Sequence, residues 1–564
     1  METGNLISKP TNPTLHSSRR ILTGFLHYFL LIGLFLLLAS HENINPRKNN
    51  SHIDFSVAES KRLLQIQALA YQLNPVVANS LQYQLNELIS DFYKTIDFNP
   101  VWTINHAGTD KLNELIRLVD SAVYFGLPES VINSSKLKSL STELESSVYS
   151  KEKMIQRIDL EIEATKSAFL LMIYLNQGIV DSDTSSRFMN FIAGLPQLLM
   201  QSMEKDQLEA DILALQPDIQ FYNELISLLN GYQKTLEKVR KAKLEIAQSD
   251  LASAFFYLGF LSSPVFDSTH TLQKVVSDYQ QEKRIEITGK LNNVVIKHLL
   301  HDLDKTYELI ALNLDRLRKL NLDSNSYVFV NIPAYQLSLV KENFVEKNFK
   351  VIVGKMETPT PIFSSTLACF ITNPHWTVPT SIANDEMLEN IRKDSTYLES
   401  HGYIVVNNNG QTVNHQLIDW TLDNPLSNKY YIRQQNSGNN ALGKIKFLFP
   451  NEHSVFMHDT PSKALFNKTR RTFSHGCIRV QNPDELAQSL SEYVFAKENK
   501  PINIESIIKS EEQKVFHFNR KVDVHVQYLT CMVDSAGRLN LLPDVYARDQ
   551  EELSQLFDKD DVSL

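Results

Sequence analysis

The chain has 564 residues, a formal net charge of −9, 43% hydrophobic residues and 21% charged residues. This balance is typical of folded chains, and at ~150 residues per domain the length predicts three or four domains. The 17 Gly and 20 Pro exclude collagen-like and low-complexity classes, and the acidic excess argues against a nucleic-acid partner. The three cysteines, Cys369, Cys477 and Cys531, exclude a disulfide scaffold and leave at least one thiol unpaired.

An apolar run lies close to the N-terminus. Residues 21–39 carry no formal charge, and Arg19 and Arg20 immediately precede them. A helix of about 20 apolar residues can span a bilayer, and the basic flank predicts that residues 1–20 are cytoplasmic. We therefore predict a signal-anchor transmembrane helix followed by an exported chain. A cleaved signal peptide and, less specifically, a buried globular helix remain alternatives.

Helical periodicity dominates the next part of the chain. Residues 110–126, for example, place apolar side chains three or four positions apart. We predict a helical scaffold domain over residues 50–250. Residues 251–305 form a smaller helical unit that resembles a degenerate peptidoglycan-binding module, with its turn at Thr288-Gly289. The alternative for this unit is that it continues the scaffold.

The sequence pattern changes near residue 325. Short runs rich in Val, Ile, Phe and Tyr alternate with Pro- and Asn-rich turns, a pattern typical of strands. We predict a mainly β domain over residues 325–550, with a polar helical stretch near 382–401 and a C-terminal tail at 551–564. The expected fold class is therefore a multidomain α+β protein.

Reactive side chains concentrate between residues 449 and 480. Cys477 ends the run S-H-G-C, and a thiol becomes a nucleophile when a base takes its proton. His458 lies upstream at the end of a strand-like run, where a strand and a turn can bring imidazole and thiol together. Gly476 lets the backbone approach a substrate closely, and the positive potential of Arg479 favours a thiolate.

This arrangement resembles the signature of the L,D-transpeptidases, the family with a YkuD-type catalytic domain. That signature is a histidine followed at a distance by Ser/Thr-His-Gly-Cys, and here fifteen residues separate His458 from the S-H-G-C run. The resemblance extends over about 325–550 and is greatest with the YcbB-type branch. The segments that carry it are VNIPAY at 330–335, VIVGK at 351–355, TPTPIFSS at 358–365, NPHWTVP at 373–379, KFLFPN at 446–451, HDTPSKALF at 458–466 and GRLNLLPDVYARD at 537–549.

The resemblance implies a role for each residue of the site. Cys477 would be the nucleophile and His458 the proton donor and acceptor, with His475 in a supporting role and Gly476 contributing to an oxyanion hole. The implied substrate-binding residues are Ser474, Arg479, Asn440 and Trp376. An inserted lid is implied at about 382–440, and neither a metal nor a cofactor is expected.

The resemblance also implies a reaction and a location. The expected enzyme cleaves tetrapeptide stems of peptidoglycan, releases D-Ala through a cysteine thioester, and forms 3→3 cross-links during cell-wall biogenesis. Its partners would be the stem peptides, the bacterial inner membrane and possible cell-wall synthases, with the catalytic portion in the periplasm, and carbapenems would acylate the same thiol. Alternatives are an L,D-carboxypeptidase or endopeptidase, attachment of envelope proteins, and a non-catalytic wall-binding scaffold.

Two other interpretations of the cysteines and histidines stay open. His453, His458, His475 and Cys477 contain ligand types that bind zinc, although their spacing fits no common zinc pattern. Cys369 and Cys531 lie in apolar runs and are predicted to be inert core thiols, with a structural disulfide between them as the alternative.

Overall fold

The computed structural model describes residues 60–68, 81–104, 107–132, 134–145, 151–180, 186–242, 245–320, 324–427, 429–436, 439–495 and 502–557. The predicted cytoplasmic tail and membrane anchor, residues 1–39, lie outside these ranges. Within them, no helix is both long and apolar enough to cross a membrane. Helices dominate before residue 320 and strands after it, which confirms the predicted α+β class.

The first half of the described chain packs around the helix Lys151–Gln177. Its residues 160–175 are all buried, as expected for a helix that has neighbours on every side. The helices of this region are Leu81–Thr95, Asp110–Asp120, Glu129–Ile132, Ser134–Glu145, Lys151–Gln177, Ser186–Glu204 and Leu208–Leu213. Two short strands, β1 (Thr103–Ile104) and β2 (Ala107–Gly108), pair antiparallel among them.

A second apolar core joins the next helices to the β domain. These helices are Gln220–Ala242, Gln248–Tyr257, Leu272–Glu282 and Asn293–Arg318. The buried Gln280 holds the turn before the last of them, because its Oε1 accepts from the amides of Thr288 and Gly289 at 3.0 and 2.9 Å. The core that these helices share also contains Tyr327 and Phe329 of the first strand of the β domain. One apolar core therefore extends from these helices into the sheet.

The β domain contains one large sheet. Its strands are β3 (Tyr327–Asn331), β4 (Gln336–Lys341), β5 (Phe344–Gly354), β6 (Phe363–Thr366), β7 (Cys369–Thr372), β12 (Ile445–Leu448), β13 (Met457–His458), β14 (Thr472–Ser474), β15 (Ile478–Val480), β16 (Lys514–His517) and β17 (Asp523–Gln527). Their order is β16-β7-β12-β13-β15-β5-β4-β3-β17-β6, and β14 pairs with β5. Helices Pro483–Val494 and Ile504–Lys509 contribute to the third apolar core, against this sheet. The remaining pair, β18 (Cys531–Val533) and β19 (Leu539–Leu541), is antiparallel.

An insertion between β7 and β12 forms a subdomain with its own core. It contains β8 (Trp376–Thr377), β9 (Tyr403–Asn407), β10 (Thr412–Val413) and β11 (Tyr430–Gln434), arranged as β10-β9-β11-β8. Helices Thr380–Ile382, Leu388–Lys393 and Tyr397–Ser400 and the π-helical turn Ala383–Met387 complete it. Its core includes Met387, Leu398 and Ile432. We call residues 376–434 the inserted subdomain.

The C-terminal segment differs from the predicted tail. Residues expected to be a tail from 551 onward instead continue the helix Asp549–Phe557. The reason is burial, because Leu556 is fully buried in the core around Lys151–Gln177. Arg316 also holds this helix through ion pairs to Asp549 and Glu552, each at 2.8 Å. The end of the described chain therefore ties the β domain back to the helical half.

Candidate active site

The register of three neighbouring strands brings the predicted nucleophile and base together. β13 pairs antiparallel with β12, which sets Lys446 opposite His458. On its other side β13 pairs parallel with β15, which sets His458 opposite Arg479. Cys477 directly precedes β15. The sheet thus places Lys446, His458 and the Cys477–Arg479 segment on adjacent strands.

Side-chain alternation then decides which face each group occupies. Met457, Ile478 and Val480 are buried in the apolar core on one face of the sheet. Neighbours along a strand point to opposite faces, so His458 and Arg479 lie on the other face, and Cys477 joins them two positions before Arg479. The Cys477 thiol and the His458 imidazole, predicted to be nucleophile and base, therefore lie on the same face of the sheet.

The turn that carries Cys477 is held by its own hydrogen bonds. Ser474 Oγ donates to the Cys477 carbonyl at 2.5 Å and accepts from the Gly476 amide at 3.2 Å. Gly476 has φ of 109°, a conformation that side chains rarely adopt, which explains the glycine. The Gly476 amide is thus engaged within the turn and is not the free oxyanion donor that was expected. The Cys477 amide has no acceptor among the residues that the structure describes.

The end of β5 and the loop that follows it support this turn through hydrogen bonds. Thr360 Oγ1 donates to the Gly476 carbonyl at 2.8 Å and accepts from the Gly354 amide at 2.9 Å. Tyr546 Oη donates to the Gly354 carbonyl at 2.7 Å. Gly354, Thr360 and Tyr546 all lie in segments that carry the family resemblance, but the sequence pattern predicted no role for them. The sequence offered only a threonine, Thr360, soon after Gly354 and Lys355. Its hydrogen bonds in the folded chain are what reveal its supporting role.

Hydrogen bonding defines the protonation of His458. Its Nδ1 lies 2.5 Å from the Asp459 carbonyl oxygen, which can only accept, so Nδ1 carries the hydrogen. Nε2 is left with its lone pair, as a base requires. Burial, with the nearby Arg479 and Lys446, lowers the pKa of His458 to about 3. The imidazole is therefore neutral throughout the neutral pH range.

The thiol also favours its neutral form. Burial raises the pKa of Cys477, although a backbone hydrogen bond from Phe456 and the charges of Lys446 and Arg479 oppose this effect. A thiol and a neutral imidazole thus coexist at neutral pH in place of a preformed ion pair. The thiolate is expected to form when His458 takes the proton during attack.

Two cations border the site, and neither forms an ion pair with an acidic residue in the described part of the chain. Lys446 Nζ lies 3.9 Å from the centre of the Phe456 ring, and burial lowers its pKa. The Arg479 side chain forms no ion pair with a described residue, and its Nε is buried without a hydrogen-bond partner. Such positive potential stabilises a thiolate and attracts anionic ligands.

The other predicted residues take different places. His475 is partly exposed, and its Nε2 lies 2.6 Å from Glu386 Oε1 of the inserted subdomain. Trp376 packs against the core of that subdomain. Glu386 had no sequence signal, because its partner lies 89 positions away.

Two predicted substrate-binding residues are buried and hydrogen-bonded within the protein. Asn440 is fully buried, donating to the carbonyls of Pro374 and Gln435 and accepting from Leu442. Ser474 is buried and engaged in the Cys477 turn. Their polar atoms are already paired away from solvent, so both residues hold the shape of their loops, and a role in substrate binding stays a prediction.

The remaining alternatives can be compared with the structure. The described part of the chain contains no cluster of three or more His, Cys, Asp or Glu side chains that could hold a metal ion. Cys369 and Cys531 are both buried free thiols, so the alternative disulfide is absent. Burial raises the pKa of each, as expected for inert core thiols.

Replacing Gly354 should disturb the support of the cysteine turn. A methyl group there would overlap the Thr358 carbonyl oxygen and come within 2.7 Å of the Thr360 nitrogen, both backbone atoms. We expect Gly354→Ala to lower the free energy of unfolding by about 1–3 kcal/mol and to slow alkylation of Cys477 by iodoacetamide. Gly194→Ala, in an open helical position, is the control and should be neutral or stabilising. Unchanged alkylation in Gly354→Ala would contradict the supporting role.

The low pKa of His458 predicts a stability change with pH. The unfolded chain protonates this residue below about pH 6.5, whereas the folded chain does so only near pH 3. Folding is therefore disfavoured progressively as the pH falls between these values. From pH 7 to 5 the wild-type chain should lose about 2 kcal/mol through this group, and His458→Asn should lack that component. Urea unfolding of both proteins at both pH values measures it, and an identical pH dependence would refute the buried neutral imidazole.

Comparisons with known proteins agree with this geometry. Residues 325–504 match the family described as the L,D-transpeptidase catalytic domain (YkuD), and residues 87–229 match the family described as a scaffold domain. A Haemophilus influenzae protein named "Putative L,D-transpeptidase" is 32% identical over 243 residues, which cover 43% of this chain and 48% of that protein. The match thus spans about half the length of that curated relative. The chain therefore carries a YkuD-type L,D-transpeptidase catalytic domain at residues 325–504, preceded by a scaffold domain.

Proposed function

We propose that this chain is an L,D-transpeptidase that forms 3→3 cross-links in peptidoglycan. The observation that carries the proposal is the shared sheet face of Cys477 and His458, with the His458 Nε2 lone pair free and two cations alongside. The catalytic-domain match supports the same class of enzyme. The donor would be a tetrapeptide stem ending in D-Ala after diaminopimelate.

The first half-reaction transfers the donor to the thiol. His458 Nε2 takes the Cys477 proton as the sulfur attacks the carbonyl carbon between diaminopimelate and D-Ala, giving a tetrahedral oxyanion. The free Cys477 amide is the nearest candidate donor to that oxyanion, a contact usually worth about 3 kcal/mol. The C–N bond then breaks, the D-Ala nitrogen receives the proton from His458, and a thioester remains on Cys477.

The second half-reaction transfers the acyl group to an amine. The side-chain amine of a diaminopimelate on another stem attacks the thioester carbonyl. His458 Nε2 accepts a proton from that amine and returns it to the departing sulfur. The product amide joins the third residues of two stems, and the neutral Cys477–His458 pair is restored. The depressed pKa of His458 keeps the base form available at neutral pH.

The inserted subdomain is proposed to act as a lid. It reaches the cysteine turn directly, because Glu386 contacts His475, two residues before Cys477. A cover at this position would exclude water, which otherwise competes with the acceptor amine for the thioester. His475 would then act as the docking point of the lid and not as the base.

The proposed location is based on the sequence alone. We propose that residues 21–39 anchor the chain in the inner membrane and that the catalytic domain acts in the periplasm, where its stem-peptide substrates and any cell-wall synthase partners reside. Carbapenems are proposed to acylate Cys477, because they present a strained carbonyl to the same thiol.

Replacement of the nucleophile is the central experiment. The full-length chain is incubated with disaccharide-tetrapeptide, and dimer and D-Ala are quantified. Cys477→Ala should lower D-Ala release at least about 1000-fold and abolish the mass increment from meropenem. Cys369→Ala, which removes another buried free thiol, is the control and should retain both.

Each result has a defined meaning. Dimer together with free D-Ala from the wild-type chain supports cross-linking. Tripeptide without dimer would replace the transpeptidase proposal with a carboxypeptidase. Cross-linking that persists in Cys477→Ala would refute the cysteine mechanism.

The contact between Glu386 and His475 predicts a separate effect on product ratio. Glu386→Gln should weaken lid docking by the amount of a partly exposed ion pair, which corresponds to about a two- to fivefold larger hydrolysed share of the product. Hydrogen exchange should also rise at residues 380–400. Glu389→Gln is the matched control, because Glu389 lies on the same segment but pairs with Lys393. Equal product ratios in the two variants would argue against the docking contact.

A further inference from the structure

A cleft lies at the opposite end of β5 from the cysteine turn. Its volume is about 820 Å³, and its walls come from the start of the helix Gln220–Ala242, the end of the helix Gln248–Tyr257, and the β4–β5 and β18–β19 hairpins. Phe344, which lines the cleft, begins β5, whereas Gly354 beside the cysteine turn ends that strand. A strand of this length separates its ends by about 33 Å. The cleft is therefore distinct from the candidate active site.

Negative charge dominates the polar lining of this cleft. Asp218, Glu224 and Glu342 line it, and no lysine or arginine of the described chain does so. Side-chain amides donate to two of these carboxylates, which leaves their charge in place. The lysine nearest to Glu342 in sequence, Lys341, pairs instead with Glu346, which does not line the cleft. A cleft lined by one sign of charge concentrates its electric field and attracts a ligand of the opposite sign.

An apolar surface lies among these charges. Phe344 is 72% exposed at the end of the β4–β5 hairpin. Phe256 and Tyr257, which also line the cleft, are only partly buried. Exposed apolar groups that cluster within a polar rim are typical of a surface that binds another protein, and aromatic side chains supply much of the binding energy at such surfaces.

The hairpin that presents Phe344 is fixed in place. Glu342 and Asn343 have φ of 52° and 67°, the sign that the common two-residue hairpin turn requires. The loop before β3 accepts from both turn amides, and the Val345 amide donates to Gln220 Oε1 at 3.2 Å. The hairpin is thus tied both to its own sheet and to the helix across the cleft. A preorganised ring loses little conformational entropy on binding.

We propose that this acidic cleft binds a basic segment of another protein, one that presents lysine or arginine side chains next to an apolar side chain. The cations would pair with Asp218, Glu224 and Glu342, and the apolar side chain would pack on Phe344. A cation held over an aromatic ring gains further attraction from the ring face. The inference concerns a surface remote from Cys477 and does not depend on the proposed function.

Charge complementarity distinguishes this occupant from others. Anionic stem peptides, nucleic acids and acidic lipid headgroups would be repelled by three carboxylates. Sugar rings can stack on aromatic side chains but would leave the negative charge uncompensated. A second copy of this chain is disfavoured because its net charge is −9. A basic segment with an apolar side chain matches both the charge and the aromatic surface.

Peptide binding to the full-length chain in neutral detergent tests the proposal. Fluorescence anisotropy compares a short labelled peptide in which lysines flank a central leucine with two matched peptides. One carries glutamate in place of each lysine, and the other carries serine in place of the leucine. The basic peptide with leucine should bind at least about tenfold more tightly than either. Its affinity should fall as salt is added, because exposed charges are screened.

Variants of the cleft locate the binding site. The double substitution Glu224→Gln and Glu342→Gln should weaken binding of the basic peptide about tenfold, and Phe344→Ser should weaken it by a similar factor. Two controls remove the same chemical groups elsewhere and should leave binding unchanged: Glu511→Gln, at an exposed carboxylate, and Leu417→Ser, at a leucine that is 82% exposed.

The opposing results are equally defined. Failure of the basic peptide to bind, or equal binding of the acidic one, would overturn the proposal. Binding that survives the substitutions at Glu224, Glu342 or Phe344 would lie elsewhere and would also overturn it. Binding of tetra-N-acetylchitotetraose in place of the basic peptide, lost in Phe344→Ser, would identify a glycan site instead. Alkylation of Cys477 by iodoacetamide should stay at the wild-type rate in every variant, which shows that each folds and keeps this test separate from that of the proposed function.

Discussion

The parallel pairing of β13 with β15 is the constraint on which the site depends. It sets His458 opposite Arg479, and strand alternation then turns Cys477 to the same face. A shift of one residue in this register would bury Cys477 and expose Ile478, because successive side chains point to opposite faces. The apolar residues Met457 and Val480 prevent that shift, since they fill the core behind the site. Packing on one face of the sheet therefore fixes the chemistry on the other.

The site keeps Cys477 and His458 neutral, and its two cations form no ion pair among the residues that the structure describes. Burial raises the pKa of Cys477 and lowers that of His458, so the low dielectric disfavours both ionised forms at rest. Lys446 and Arg479 contribute positive potential that becomes favourable only when a thiolate, an oxyanion or a substrate carboxylate is present. Such an arrangement lowers the stability of the fold. Its cations would instead stabilise the negative charge that develops during a reaction at Cys477.

Support for the cysteine turn comes from distant parts of the chain. Thr360 bonds the Gly476 carbonyl, and Tyr546 bonds Gly354 in the same loop. A few residues after Tyr546, the C-terminal helix is held to the helical half by Arg316. The sheet, the C-terminal segment and the helices are thus joined behind Cys477. This connection gives the helical half a physical means of keeping the turn rigid.

The sequence by itself predicted the chemical groups of the candidate site. A histidine and an S-H-G-C run at a fixed separation predicted the nucleophile, the base and the family of the catalytic domain, because such groups must keep their type and order to react. It could not determine which neighbours were available. Asn440 and Ser474 were predicted to bind substrate and are buried with their polar atoms hydrogen-bonded, whereas Gly354, Thr360 and Glu386 gave no distinct signal. Their roles depend on burial and on contacts such as those from Thr360 to Gly476, 116 residues apart, and from Asn440 to Pro374, 66 residues apart, and only the tertiary structure decides these.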